Sequence, residues 1–106
     1  MSENTFPTQR PHFQTRTLDH GLELTVVLPG VSKEQLTINA EDRLLSITGE
    51  RRFEGGLEER NYQLKVRLHQ DLDPSKIEAR YQDGVLRLKL NKRPELTPRR
   101  IELLAN

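Results

Sequence analysis

The 106-residue chain contains no cysteine and no tryptophan. Without thiols it forms neither disulfides nor thiolate metal sites, which excludes a secreted disulfide scaffold and suits a reducing cytoplasm. Aromatic residues make up 5% of the chain and hydrophobic residues 33%. Folding at this length buries only about 65% of the surface that the unfolded chain exposes, so a thin core must draw on nearly every apolar residue. No apolar run approaches the ~20 residues needed to span a bilayer, and MSENTFPTQRPHFQ has neither the basic nor the apolar region of an export signal. Neither a membrane span nor export is expected, and the expected location is the cytoplasm. An excess of one charge is also lacking: 17 Lys plus Arg against 16 Asp plus Glu leave a net +1. That balance gives no field favouring nucleic acid or acidic lipid. The basic pairs Arg51-Arg52, Lys92-Arg93 and Arg99-Arg100 stand beside Glu50, Glu54, Glu95 and Glu102, and read as solvated faces.

Signatures of catalysis are missing as well. His12, His20 and His69 stand apart, without a second His or a Cys at metal-ligand spacing, and read as solvated or turn residues. Asp71-x-Asp73 lies before Pro74, where a turn with a capping carboxylate explains it more simply than a cation site. There is no Gly-x-Ser-x-Gly, and Gly55-Gly56 lacks the Lys of a phosphate loop. No enzyme, cofactor or metal is expected.

What is present is alternation. Leu22, Leu24, Val26 and Leu28 share one face of a strand that Pro29-Gly30 ends. Ser32-Lys33-Glu34-Gln35 has the spacing of a capping box and predicts one helical turn inside a connection. Leu36, Ile38 and Ala40 then alternate up to a turn at Glu41-Asp42-Arg43, and Leu45, Ile47 and Gly49 continue on a third strand. Arg51 to Asn61 is charged, contains Gly55-Gly56, and reads as a loop or loose hairpin. Tyr62, Leu64, Val66 and Leu68 form the cleanest period-2 run, which Asp71-Leu72-Asp73-Pro74 breaks. Ile77, Ala79 and Tyr81 follow, Asp83-Gly84 turns the chain, and VLRLKL alternates through Leu90. Evenly spaced strands with no long amphipathic helix predict an all-β antiparallel sandwich. Residues 1–17 show no period and predict a short flexible arm, residues 18–91 the sandwich, and residues 92–106 an extended tail framed by Pro94 and Pro98. In the tail, Ile101 and Leu103 are apolar residues left over after the fold seems finished. Extended backbone points them the same way, fit to plug two adjacent sub-pockets. The candidate groove for them lies on the strands carrying Leu44, Leu45 and Ile47 and carrying Val85, Leu86 and Leu88.

Four segments in order, LPGVSKEQL from Leu28, LLSITGER from Leu44, Ala79-x4-Gly84-Val85-Leu86, and Ile101-Glu102-Leu103, resemble the small heat-shock, or alpha-crystallin-domain, family over residues 18–104. Glu59-Arg60-Asn61-Tyr62 and the Arg99-Arg100-Ile101-Glu102-Leu103 ending look most like its bacterial inclusion-body-binding branch. The resemblance implies an immunoglobulin-like sandwich and an ATP-independent holdase that keeps partly unfolded clients from aggregating. It also implies association with itself and delivery of clients to ATP-driven refolding chaperones. Arg67 matches a position where family members often carry Arg, and two readings stand equally: it pairs with carboxylates at a dimer edge, or it points into solvent. The chain departs from the family in two places. Bacterial and plant relatives usually carry an extra, partner-exchanged strand after the Gly-Glu-Arg motif, where only Arg52 to Asn61 stands here. Their longer apolar arm is reduced to Phe6 and Phe13. These departures weaken the expectation of a strand-exchanged dimer. They also keep open a sandwich binding one specific partner, or one that docks into longer-armed paralogues and regulates their assembly.

Overall fold

In a computed structural model, residues 8–52 and 59–94 are described. The alternating segments become eight strands: β1 Thr8–Gln9, β2 His12–Leu18, β3 Gly21–Val27, β4 Val31–Glu41, β5 Leu44–Arg51, β6 Arg60–Arg67, β7 Leu72–Gln82 and β8 Val85–Lys92. They form two four-stranded sheets in the orders β1-β6-β5-β4 and β2-β3-β8-β7. All pairings are antiparallel except the short parallel contact of β1 with β6. The expected all-β sandwich is the fold observed.

Turn chemistry sets the registers. Pro29-Gly30 makes a type II turn, with Gly30 at φ 80° and the Val31 N–H donating to the Leu28 carbonyl at 3.2 Å. Asp42-Arg43 joins β4 to β5, and Asp83-Gly84 joins β7 to β8. All four residues have positive φ, the backbone twist that matches a tight hairpin. The Arg43 guanidinium then reaches across to the carbonyls of His69 at 3.1 Å and Leu72 at 3.2 Å, fastening the β4–β5 turn to the β6–β7 connection.

The core is made by the facing inner rows of the central strands. Leu24, Val26, Leu86, Leu88 and Leu90 of one sheet pack against Leu45, Ile47, Tyr62 and Leu64 of the other, closed at the ends by Leu28, Val31, Leu68 and Leu72. Arg51 is the buried charged residue among those described. Its Nη1 donates to the Tyr62 hydroxyl at 3.0 Å, and its guanidinium sits 5.7 Å from the Tyr62 ring centre.

Three expectations differ from the structure. Residues 12–17 belong to a strand rather than a flexible arm. Phe13, Thr15 and Thr17 lie in register with Val26, Leu24 and Leu22, an alternation hidden because two of its three inward residues are threonines. Ser32 to Gln35 is not a helical turn. β4 advances five residues between Val31 and Leu36 while β5 moves two, from Arg51 to Gly49, so the segment is a bulge whose backbone stays extended. The strand that carries Tyr62 ends at Arg67, ahead of the expected break, but β7 starts at Leu72 rather than near Ile77, so Pro74 lies within it, in the irregular stretch between Leu72 and Ile77, where a missing N–H costs no ladder bond.

Candidate functional site

The sandwich is closed by the central strands and open along the side where β4 and β7 are the sheet edges. β4 carries Leu36 and Ile38 on its inner face, and β7 carries Ile77, Ala79 and Tyr81. Because neither strand has an outer neighbour among the described residues, these side chains stay half-buried or exposed rather than entering the core. Between them runs a trough of about 550 Å³ lined by Leu36, Ile38, Ala79 and Tyr81, with the buried Leu86 as its floor. Lys33, Arg80 and Gln82 form its polar rim. An apolar floor with a polar rim is the anatomy of a peptide-binding groove, and two pairs of side chains at two-residue spacing match an extended ligand.

Tyr81 holds the trough at one end. Its hydroxyl donates to the Val31 carbonyl at 2.5 Å and is 3.1 Å from the Leu28 carbonyl, tying edge strand β7 to the turn that begins β4. Burial pushes its phenol above the ordinary value of 10. The ring is left as a wall of the trough.

The sequence placed the groove on β5 and β8. Those strands are central in their sheets, and Leu45, Ile47, Leu86 and Leu88 are between 0% and 1% exposed. They therefore form the core, and only Leu86 borders the trough. Leu44 and Val85 are half-buried, the former on the outer face of its sheet. Alternation alone does not separate a core wall from a groove wall. A signal for the edge was nonetheless present: Pro74 and the charged Ser32-Lys33-Glu34 segment mark β7 and β4 as edge strands. Ile101 and Leu103 lie outside the described residues.

Arg67 is exposed at the end of β6, opposite Leu44, in a shallow recess shared with Asn39, Glu41, Asp42 and Ser46. The histidines do not converge. His12 begins β2, His20 sits in the β2–β3 turn, and the His69 Nδ1 accepts from the Asp71 N–H at 3.2 Å. Asp73 accepts from the Ser75 N–H at 2.9 Å and hydroxyl at 2.6 Å, and these bonds hold its carboxyl below the ordinary value. Among the described residues no three His, Cys, Asp or Glu side chains gather as a metal site, and no helix is long and apolar enough to cross a membrane.

Comparison with known proteins agrees with this geometry. The model of the Hsp20/alpha crystallin family matches residues 14–103. Small heat shock protein C2 of Rickettsia felis is 25% identical over 96% of this chain and 73% of its own length. The 18 kDa antigen 2 of Mycobacterium avium is 37% identical over 74% of this chain and 63% of its own length. A small heat-shock protein from Xylella fastidiosa, described as having a distinct high order structure, superimposes with a TM-score of 0.74 at 26% identity, over 92% of this chain and 98% of that one. The chain belongs to the Hsp20/alpha crystallin family, whose members are chaperones and not enzymes.

Proposed function

We propose that this protein is an ATP-independent holdase of the cytoplasm that covers the apolar segments of partly unfolded proteins and passes them to ATP-driven refolding chaperones. The observation that carries the reading is the open trough between β4 and β7, an apolar channel beside strand edges that no described residue pairs with. Unfolding clients expose the same two features, apolar side chains at alternate positions and unsatisfied backbone edges.

The tail supplies a competitor for the trough. Ile101 and Leu103 repeat the two-residue spacing of Leu36 and Ile38 and of Ala79 and Tyr81. From Lys92 to Ile101 nine residues reach about 30 Å. The way back along β8 from Lys92 to Leu86 is about 20 Å, so the tail reaches its own trough or a neighbour's. Burying two such side chains gains about 1.5–3 kcal/mol each before the tail's ordering is charged against it. The net contact is weak and reversible, and its release exposes the trough.

The test is light scattering of a heat-labile enzyme such as citrate synthase, heated with increasing full-length protein and with an inert control. Suppression near equal subunit ratio is the expected result. Substituting Ser at both Ile101 and Leu103 frees the trough and lowers the ratio needed, whereas Ile38→Asp raises it. Unhindered client aggregation at several-fold excess would sink the reading and favour one specific partner or a longer-armed paralogue.

A further inference from the structure

We propose that Arg80 and Arg87, on the outer face of the β2-β3-β8-β7 sheet, bind the phosphate of a small phosphate monoester whose apolar part rests on Val27 and Val85. The strand registers set the outward side chains of this sheet in rows across the strands. One row, from β2 to β7, is Arg16, Glu23, Lys89 and Glu78. Charge alternates along it, and Arg16 meets Glu23 at 3.3 Å. The next row is Gln14, Thr25, Arg87 and Arg80, in which two guanidinium groups are directly opposed and no carboxylate stands. Like charges so placed destabilise a strand pair. Both arginines are exposed, and among the described residues neither has an ion-pair or hydrogen-bond partner. The row after that is His12, Val27, Val85 and Gln82, with the two valines half-buried side by side.

The surplus charge of this face therefore sits at one place. Arg16 and Lys89 are matched by Glu23 and Glu78 in their own row, whereas Arg80 and Arg87 are matched by nothing in theirs. Directly opposed residues stand about 4.5–5.5 Å apart between Cα atoms, so both planar forks can close on one group. A phosphate monoester brings about two negative charges and three acceptor oxygens, enough for both. A carboxylate brings one charge and two oxygens, and leaves one guanidinium unbalanced.

The surroundings orient such a ligand. Glu23 and Glu78 border the recess of about 440 Å³ on one side of the arginine pair and hold an anion off from it. On the other side Arg80, Gln82, Val85 and Arg87 border a recess of about 250 Å³, which Asp83 closes at the β7–β8 turn. Val85 lies two residues from Arg87 on the same face, about 7 Å along the strand, where the organic group of the ester falls. The site is open to water, so each guanidinium contributes modestly and the dissociation constant is about millimolar. It also stands apart from the trough, whose Ala79, Tyr81 and Leu86 point to the inner side of the sheet.

Saturation-transfer NMR with phenyl phosphate as the probe tests the site on the full-length protein, at constant ionic strength and about pH 7.5, where the monoester is a dianion. The signal should saturate at about millimolar probe and be displaced by inorganic phosphate. Arg80→Gln or Arg87→Gln should weaken binding about threefold to fivefold, and the double variant should lose it. Neither single variant should lower the melting temperature, because each relieves the opposed charges. Benzoate, which has the ring but a single charge, should bind about fivefold more weakly. Val85→Asn should weaken phenyl phosphate and leave the displacing strength of inorganic phosphate unchanged. Lys65→Gln, on the outer face of the other sheet, should bind as the parent does. A double variant that binds like the parent, an equal loss in Lys65→Gln, benzoate that binds as tightly as phenyl phosphate, or no effect of Val85→Asn would overturn the assignment. None of these outcomes touches the holdase reading, which stands or falls by its own scattering assay.

Discussion

Replacing Tyr81 by Phe keeps the ring that walls the trough and removes only the hydroxyl. What is lost is the bond to the Val31 carbonyl at 2.5 Å and the longer contact to the Leu28 carbonyl at 3.1 Å. Leu28 keeps a partner in the Val31 N–H, so the loss falls mainly on one acceptor. A partly buried hydrogen bond of this kind contributes about 1–1.5 kcal/mol. In a domain of this size each kcal/mol moves the melting temperature by about 4–8 °C. A calorimetric or circular-dichroism melt of Tyr81→Phe at neutral pH should therefore fall by roughly that amount. Alkaline pH provides the discriminating arm. Burial raises the folded pKa above its unfolded value. The stabilisation is thus fully present below about pH 10 and is lost as pH rises through the raised value. The parent protein loses it there, whereas the Phe variant has nothing to lose, so the gap between their melting temperatures should close. A gap of the same size at about pH 11 as at neutrality, or no gap at either, refutes the view that this hydroxyl fastens β7 to the start of β4.

Other substitutions probe the rest of the frame. A Cβ on Gly21 would stand 1.9 Å from the Leu90 carbonyl oxygen, a backbone atom with no room to yield, so Gly21→Ala should cost about 2 kcal/mol or more in urea unfolding. Leu88→Ala empties a fully buried site and should cost about 2–5 kcal/mol, against less than half of that for Ile38→Ala at the half-open trough. Arg51→Ala removes the bond and the stacking at Tyr62 and should cost about 2 kcal/mol, and a change within about 0.5 kcal/mol would place Arg51 with ordinary surface residues. Ser75 lowers the Asp73 pKa through hydroxyl and backbone bonds, so its contribution is present above the unfolded value and is lost as pH falls through the lowered one. Ser75→Ala should flatten that acid-side loss in a pH series of melts, and an unchanged profile would deny the turn its role.

Alternation exposed the fold because most strands have one wet face and one dry one. Tyr62 to Arg67 and Val85 to Leu90 are buried and exposed at alternate residues, as their sequence implies. β2 escaped detection because its inward row is Phe-Thr-Thr, and an edge strand that overhangs its partner sheet needs no apolar row. The trough was misplaced for a related reason. Leu45, Ile47, Leu86 and Leu88 are the stronger apolar residues, and strength of alternation reports burial, which peaks on the central strands. A docking wall must be apolar yet open, and openness follows from strand order, which no local pattern encodes. Leu36, Ile38, Ala79 and Tyr81 are legible as a site only once β4 and β7 are known to be edges on the same side.

A chaperone that binds exposed edges must itself keep edges open without polymerising, and the two demands explain where the irregular residues fall. Both strands bordering the trough carry their register shift at one end, with Ser32-Lys33-Glu34 exposed on β4 and Pro74-Ser75-Lys76 exposed on β7. Each shift breaks the ladder beside an intact apolar stretch, so a strand added at either edge could not continue into a fibre. Affinity is limited by the same geometry. Two docked side chains gain about 3–6 kcal/mol gross, which corresponds at best to a dissociation constant between roughly millimolar and tens of micromolar. A single trough therefore lets go of its ligand quickly. Retention of a client requires several troughs held together, so that release from one is followed by capture at the next.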